Sequence, residues 1–127
     1  MALTVIPSEW RKIVCAILDA EDPSAIRWTN DAWLRCESGF TRYDAALDPP
    51  WYTPSRYEVY DALTRFLETE GAKGCLVAME TPPGETYEFF FRFLGTKAYG
   101  KILLRSNRKQ ILILSAHPPL KPKLSCE

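Results

Sequence analysis

Apolar residues recur at helical spacing near the start of the chain. Trp10, Ile13, Val14, Ile17 and Leu18 fall three or four apart, which sets them on one face of a helix. Pro7 and Ser8 open this helix, and Pro23 in "DAEDPS" disfavours helical geometry just before it. Ahead of it, "LTVI" (3–6) reads as a short edge strand. A second stretch, "TPSRYEVYDALTRFLETEG", carries an apolar stripe of Tyr57, Tyr60, Leu63, Phe66 and Leu67. Thr53 is placed to cap it, Pro54 suits the first helical position, and Gly71 supplies the stop.

From residue 74 the period changes to two, and four strands are predicted at 74–80, 86–94, 98–104 and 110–116. "TPPGE" and "GT" (95–96) are turn signals, the second of hairpin type. The tail "PPLKPKLSCE" (118–127) is too rich in proline to continue a central strand. Residues 24–52 mix Trp28, Trp33, Phe40, Tyr43, Trp51 and Tyr52 with Asp, Arg and Pro. They read as an irregular aromatic-rich excursion with a short helix near 29–36, either a flap packed on the core or a functional loop. The expected fold is α+β: one domain over 1–127, with two helices on one face of a four-stranded antiparallel sheet.

Alternation then assigns faces. A turn at Gly95–Thr96 pairs Leu94 with Lys97 and collects Phe89, Phe91, Phe93, Ile102 and Leu104 on the helix side. The next hairpin has a choice of loop. An even loop places Lys101 with Leu112 and Leu114. An odd loop centred on "NRK" buries Leu112, Leu114 and Ala116 instead, and burying such side chains is worth about 1.5–3 kcal/mol each. The odd loop is therefore expected. It leaves Glu88, Phe90, Arg92, Tyr99, Lys101, Arg105, Ile111, Ile113, Ser115 and His117 on the open face.

Charge sharpens this picture. Residues 1–86 carry a formal charge of −6 and residues 87–127 carry +6. A basic strip can attract a polyanion such as RNA, or be a solvated sheet face balanced across the fold. No run of residues is long and apolar enough for a membrane span, and the start lacks a signal-peptide pattern, so a cytoplasmic chain without membrane association is expected. The four cysteines, at 15, 36, 75 and 126, form no CxxC pair, and one histidine is present. Neither a zinc site nor a disulfide framework is expected, and Cys15 and Cys75 read as buried small hydrophobes. No cofactor motif occurs.

Cleavage of RNA through its 2′-hydroxyl needs a base, an acid and cations around the phosphorane, and it needs no metal. His117 is the natural acid or base, because imidazole ordinarily titrates near neutrality. Glu88 is a second candidate. Lys101, Arg92 and Arg105 suit the phosphate. Tyr99 can donate to phosphate or stack on a base, and Phe90 can stack. Ser115, Arg108 and Lys109 complete the RNA-binding set. Each has a plainer reading: a strand-end histidine, a solvated cation, a carboxylate facing a cation across the sheet.

The segment "YEFFFRFLGTKAYGKILLRSNRKQILILSAH", within residues 54–117, resembles the small ribonuclease toxins of bacterial toxin–antitoxin systems. These are the RelE and MqsR types, which share a broad fold with barnase and the nuclease colicins. Tyr99 and Lys101 match the "Y-x-K-hydrophobic" strand of the MqsR type, and Arg105 stands where a phosphate contact would fall. The resemblance implies an endoribonuclease that cleaves mRNA, free or on the ribosome, and is held by a cognate antitoxin. The alternative is a non-enzymatic binding module (an immunity protein, antitoxin or phage inhibitor) that uses the Trp- and Tyr-rich segment 24–52, since those residues favour interfaces.

Overall fold

The computed structural model describes residues 3–127. Strand β1 (Thr4–Val5) is followed by helix α1 (Ser8–Ala20), which buries Trp10, Val14, Cys15 and Leu18. Glu21 ends α1 in the left-handed region (φ 52°), its N–H bonded to the Leu18 carbonyl. Strand β2 (Ile26–Trp28), helix α2 (Ala32–Phe40) and the two-stranded ribbon β3 (Arg42–Tyr43) and β4 (Trp51–Tyr52) come next. Then follow helix α3 (Arg56–Glu68) and strands β5 (Lys73–Val77), β6 (Gly84–Phe93), β7 (Thr96–Arg105) and β8 (Ile111–His117).

The α3 cap falls two residues later than expected. Ser55, not Thr53, is the N-cap: its side chain accepts from the Glu58 N–H, and the Glu58 carboxylate accepts from the Ser55 N–H. This reciprocal box is written in "SRYE". Replacing Ser55 with alanine is expected to cost about 0.5–2 kcal/mol in a urea titration; an unchanged midpoint would show that the box contributes nothing.

The main sheet has six strands in the order β1-β5-β6-β7-β8-β2. The antiparallel run β5 to β8 and the edge strand β1 follow the sequence pattern. Two expectations need correction. The four-stranded antiparallel sheet gains β2, which runs parallel to β8, and the two packed helices become three, because the short helix expected near 29–36 forms as α2 (Ala32–Phe40) on the core. Both lie in 24–52, so much of that excursion is structure packed on the core rather than irregular chain. A three-residue strand is too short to show alternation, and Asp31 enters α2 with positive φ and no side-chain cap.

The β6–β7 turn is Leu94–Gly95, both with positive φ (53° and 76°), the geometry of a two-residue hairpin. Phe93 therefore pairs with Thr96 rather than Leu94 with Lys97. Each partner moves by two residues, so every side chain keeps its face.

The β7–β8 loop corrects a larger point. It has four residues, 106–109, closed by the Arg105 N–H to Gln110 carbonyl bond at 3.0 Å. An even loop puts Ile111 and Ile113 in the core opposite Leu104 and Ile102, and both isoleucines are fully buried. They are not on the open face. The register then shifts: Ile102 faces Ile113, but Lys101 faces Ser115. The extra residue, Leu114, is a β-bulge, and it turns Ser115 and His117 back to the side of Lys101 and Tyr99.

The three helices among the described residues share one core with this apolar face. Phe66 of α3 stacks on Phe89 at 4.9 Å, Trp10 of α1 meets Tyr87 edge-on at 5.0 Å, and Phe40 of α2 meets Phe93 at 4.8 Å. No helix among the described residues is long and apolar enough to cross a membrane.

Candidate functional site

The face away from the helices is built from the even residues of β6 and the odd residues of β7. Phe90 lies opposite Tyr99, and Tyr99 lies opposite His117 on β8. Glu88 lies opposite Lys101, which lies opposite Ser115. The ring centroids of Tyr99 and His117 are 5.4 Å apart, and those of Tyr99 and Phe90 6.3 Å. The His117 Nδ1 lies 2.7 Å from the Pro118 carbonyl oxygen. A carbonyl only accepts, so this bond requires the proton on Nδ1 and leaves Nε2 free.

Half of this face is covered. Residues 118–127 turn back across it, and Cys126 is joined to Cys75 by a disulfide with a Cα–Cα separation of 5.8 Å. This corrects the expectation of an unbonded Cys75. Because Cys75 pairs with Glu88, its side chain points to the tail side of the sheet, away from the helices. Leu124, Cys75, Thr86, Glu88 and Leu103 are buried, and none of them belongs to the main core cluster. A cavity of about 550 Å³ remains between tail and sheet, lined by Phe90, Tyr99, His117, Leu120 and Leu124 among others.

Glu88 is the anchor of this arrangement. Its carboxylate accepts from the Ser125 N–H at 2.7 Å, from the Ser125 hydroxyl, and from the Tyr99 phenol at 2.6 Å. Burial alone would raise its pKa. The bonds from Ser125 and Tyr99, with the charge of Lys101, outweigh burial and hold it below the ordinary 4.5. Tyr99 is pushed the other way, far above the usual phenol range, by burial and by its bond to Glu88. It stays a neutral donor, and Glu88 occupies that donor.

A carboxylate with a depressed pKa contributes to docking above pH 4.5, and that contribution is lost as pH falls through its lowered value. Hydrogen-exchange protection of the Ser125 amide is therefore expected to be level around neutral pH and to drop on acidification below 4.5. A drop in protection already at neutral pH would contradict the role of Glu88.

The other candidates are spread out. Arg105 shares the face but lies six residues along β7 from Tyr99, about 20 Å in an extended strand. Arg92 sits at the hairpin end, exposed, donating to the Gly95 carbonyl at 3.2 Å. Arg108 is turned away: its guanidinium pairs with Glu85 at 3.1 Å and with Glu9 of α1 at 3.5 Å. Lys109 is in the exposed loop, its N–H held by the Asn107 side chain. The face thus gathers Tyr99, Lys101, Ser115, His117, Glu88 and Phe90, and leaves Arg92, Arg105, Arg108 and Lys109 outside that group.

Three contributors escaped sequence reading. Lys97 places its ammonium 3.9 Å from the Phe90 ring centroid, a register effect of the Leu94–Gly95 turn. Ser125 and Cys126 sit in a tail that reads as a terminator. The signal available was the parity of Cys75, which puts a thiol beside Glu88 on the open face. The remaining thiols, Cys15 and Cys36, are buried and free. Burial, with nearby acidic charge, raises them to about 11 and about 12, so neither is a ready nucleophile.

Comparison with protein-family models, curated proteins and solved structures finds no match to this chain.

Proposed function

We propose that the face opposite the helices binds and cleaves RNA, as a metal-independent endoribonuclease of the toxin–antitoxin kind. The observation that carries this reading is the convergence of Tyr99, Lys101, Ser115 and His117 beside Phe90 on one face. The layering supports it too: helices on one side of an antiparallel meander and polar chemistry on the other, as the RelE- and barnase-like resemblance implies. The C-terminal third carries the excess of positive charge that a polyanion favours.

The mechanism follows from the free groups. His117 takes the 2′-hydroxyl proton through Nε2. The 2′-oxygen attacks phosphorus, forming a 2′,3′-cyclic phosphate as the bond to the 5′-oxygen breaks. Lys101 and Ser115 donate to the phosphate oxygens as charge builds. Tyr99 and Phe90 offer surfaces on which bases stack. The leaving 5′-oxygen takes a proton from solvent. The physiological substrate on this reading is mRNA in the cytoplasm, and the regulator is an antitoxin protein.

The test is incubation of a defined RNA with reduced protein in EDTA, followed by analysis of the fragment ends. Fragments with 2′,3′-cyclic phosphate and 5′-hydroxyl ends are expected. Intact RNA, or 5′-phosphate ends, would refute the mechanism.

One observation favours a second reading, a protein-binding module. Tyr43 and Trp51 face each other on the β3–β4 ribbon, about 60% exposed, with rings 5.5 Å apart. Such exposed aromatics are typical interface anchors. Expression of the chain alone separates the two: a ribonuclease toxin arrests growth, whereas a binding module of the immunity or antitoxin kind does not.

A further inference from the structure

We infer that the C-terminal tail is a disulfide-latched lid over the RNA face, opened by reduction of Cys75–Cys126. The regulatory role rests on the ribonuclease reading; the latch itself rests on geometry. Beyond Pro118, which sits against Gly39 of α2, the tail is held at its far end. Leu124 is buried, Ser125 is bonded to Glu88, and Cys126 is bonded to Cys75. Residues 120–123 between this anchor and the sheet are exposed, Leu120 by 84%. The span therefore arches over the cavity instead of packing into it.

Docking also occupies the chemistry. With the lid closed, Ser125 holds the Glu88 oxygen that Tyr99 leaves open, and a strand of RNA cannot lie across Phe90, Tyr99 and His117 beneath residues 119–125. Release would free Oε1 of Glu88 as a second acid–base site, with Oε2 still held by Tyr99. Glu88 stands in the row of Lys101 and Ser115, next to the row of Tyr99 and His117. Opening would thus uncover the face and supply the partner that His117 lacks while the lid is closed.

The redox step is ordinary exchange with a dithiol reductant. Cys75 is buried and Cys126 is half-buried, so the reductant's thiolate attacks the Cys126 sulfur. That forms a mixed disulfide and expels the Cys75 thiolate, which takes a proton. The reductant's second thiol then attacks the mixed disulfide and releases Cys126 as a thiol. Two electrons pass from the dithiol, which ends as its own disulfide. Such bonds persist in oxidising compartments and open in reducing ones.

The test compares oxidised protein, dithiothreitol-reduced protein and the Cys126→Ser variant. Each is read by hydrogen exchange over residues 118–127 and by RNA cleavage. Reduction is expected to speed exchange in the tail and to raise cleavage by about tenfold or more, as when a minor open state becomes the major one. Cys126→Ser is expected to match the reduced protein and to ignore the reductant. Unchanged tail exchange on reduction would overturn the latch, as would equal cleavage by oxidised and reduced protein, which leaves the ribonuclease reading intact. Faster tail exchange with no cleavage in any sample would overturn the ribonuclease reading and leave the latch standing.

Discussion

Replacing His117 with alanine is expected to lower RNA cleavage by about 10²–10⁴-fold, the usual contribution of a positioned general acid or base. The ring is oriented from two sides. Its Nδ1 donates to the Pro118 carbonyl, and its face lies against Tyr99 across the strand pair. Only Nε2 is left to meet substrate. The residue is half-buried at the end of β8 and outside the hydrophobic core, so the variant is expected to stay folded. Lys101→Ala should also impair cleavage, through loss of charge at the phosphate, while Arg108→Ala should have little effect because Arg108 is paired with Glu85 and Glu9. Single-turnover assays on reduced protein would check this order. A His117→Ala variant as active as the parent would remove the proposed chemistry.

Phe89→Ala carries the largest expected effect on stability, a loss of about 3–5 kcal/mol. Phe89 is fully buried, stacked on Phe66 and flanked edge-on by Phe91. It also lies over Gly100, where an added Cβ would meet the ring at 2.8 Å. The sheet accepts a large ring here because its cross-strand partner has no side chain. Gly100→Ala alone is therefore expected to destabilise by overpacking, on the order of 1–3 kcal/mol. In the Phe89→Ala background the same change should cost less, since the closer of the two rings it meets is gone and only the Phe91 edge, at 3.2 Å, remains. A double-mutant cycle by urea unfolding measures this coupling, and strict additivity would contradict the packing. Domains of this kind hold about 5–15 kcal/mol in total, so Phe89→Ala falls close to the threshold of folding.

The helices α1 and α3 and the meander β5 to β8 were legible because each runs long enough to show its period. The strand β2 was not, since three residues cannot display alternation and its partner β8 is parallel and remote in sequence. The site was legible in content but not in cause. Alternation on the two arms of the β7–β8 hairpin gives two apolar sets, Leu112 with Leu114 or Ile111 with Ile113, and only one can face the core. The expected odd loop chose the first set. The fold takes the second and keeps Ser115 and His117 on the open side through the bulge at Leu114. Burial of Ile111 and Ile113 ahead of the bulge, and of Ala116 beyond it, satisfies both demands. The tail was illegible for another reason: prolines forbid a central strand but say nothing about docking, which is decided by Glu88, Ser125 and the two distant cysteines.

The RNA face is tested most directly by titrating the reduced protein with an RNA carrying a 2′-deoxy block at the cleavage position, and recording amide and side-chain NMR shifts. The nucleophile is absent, so binding is read without turnover. Shifts centred on Phe90, Tyr99, Lys101, Ser115 and His117 are the expected result. Shifts centred on Tyr43 and Trp51, or no shifts at all, would contradict it.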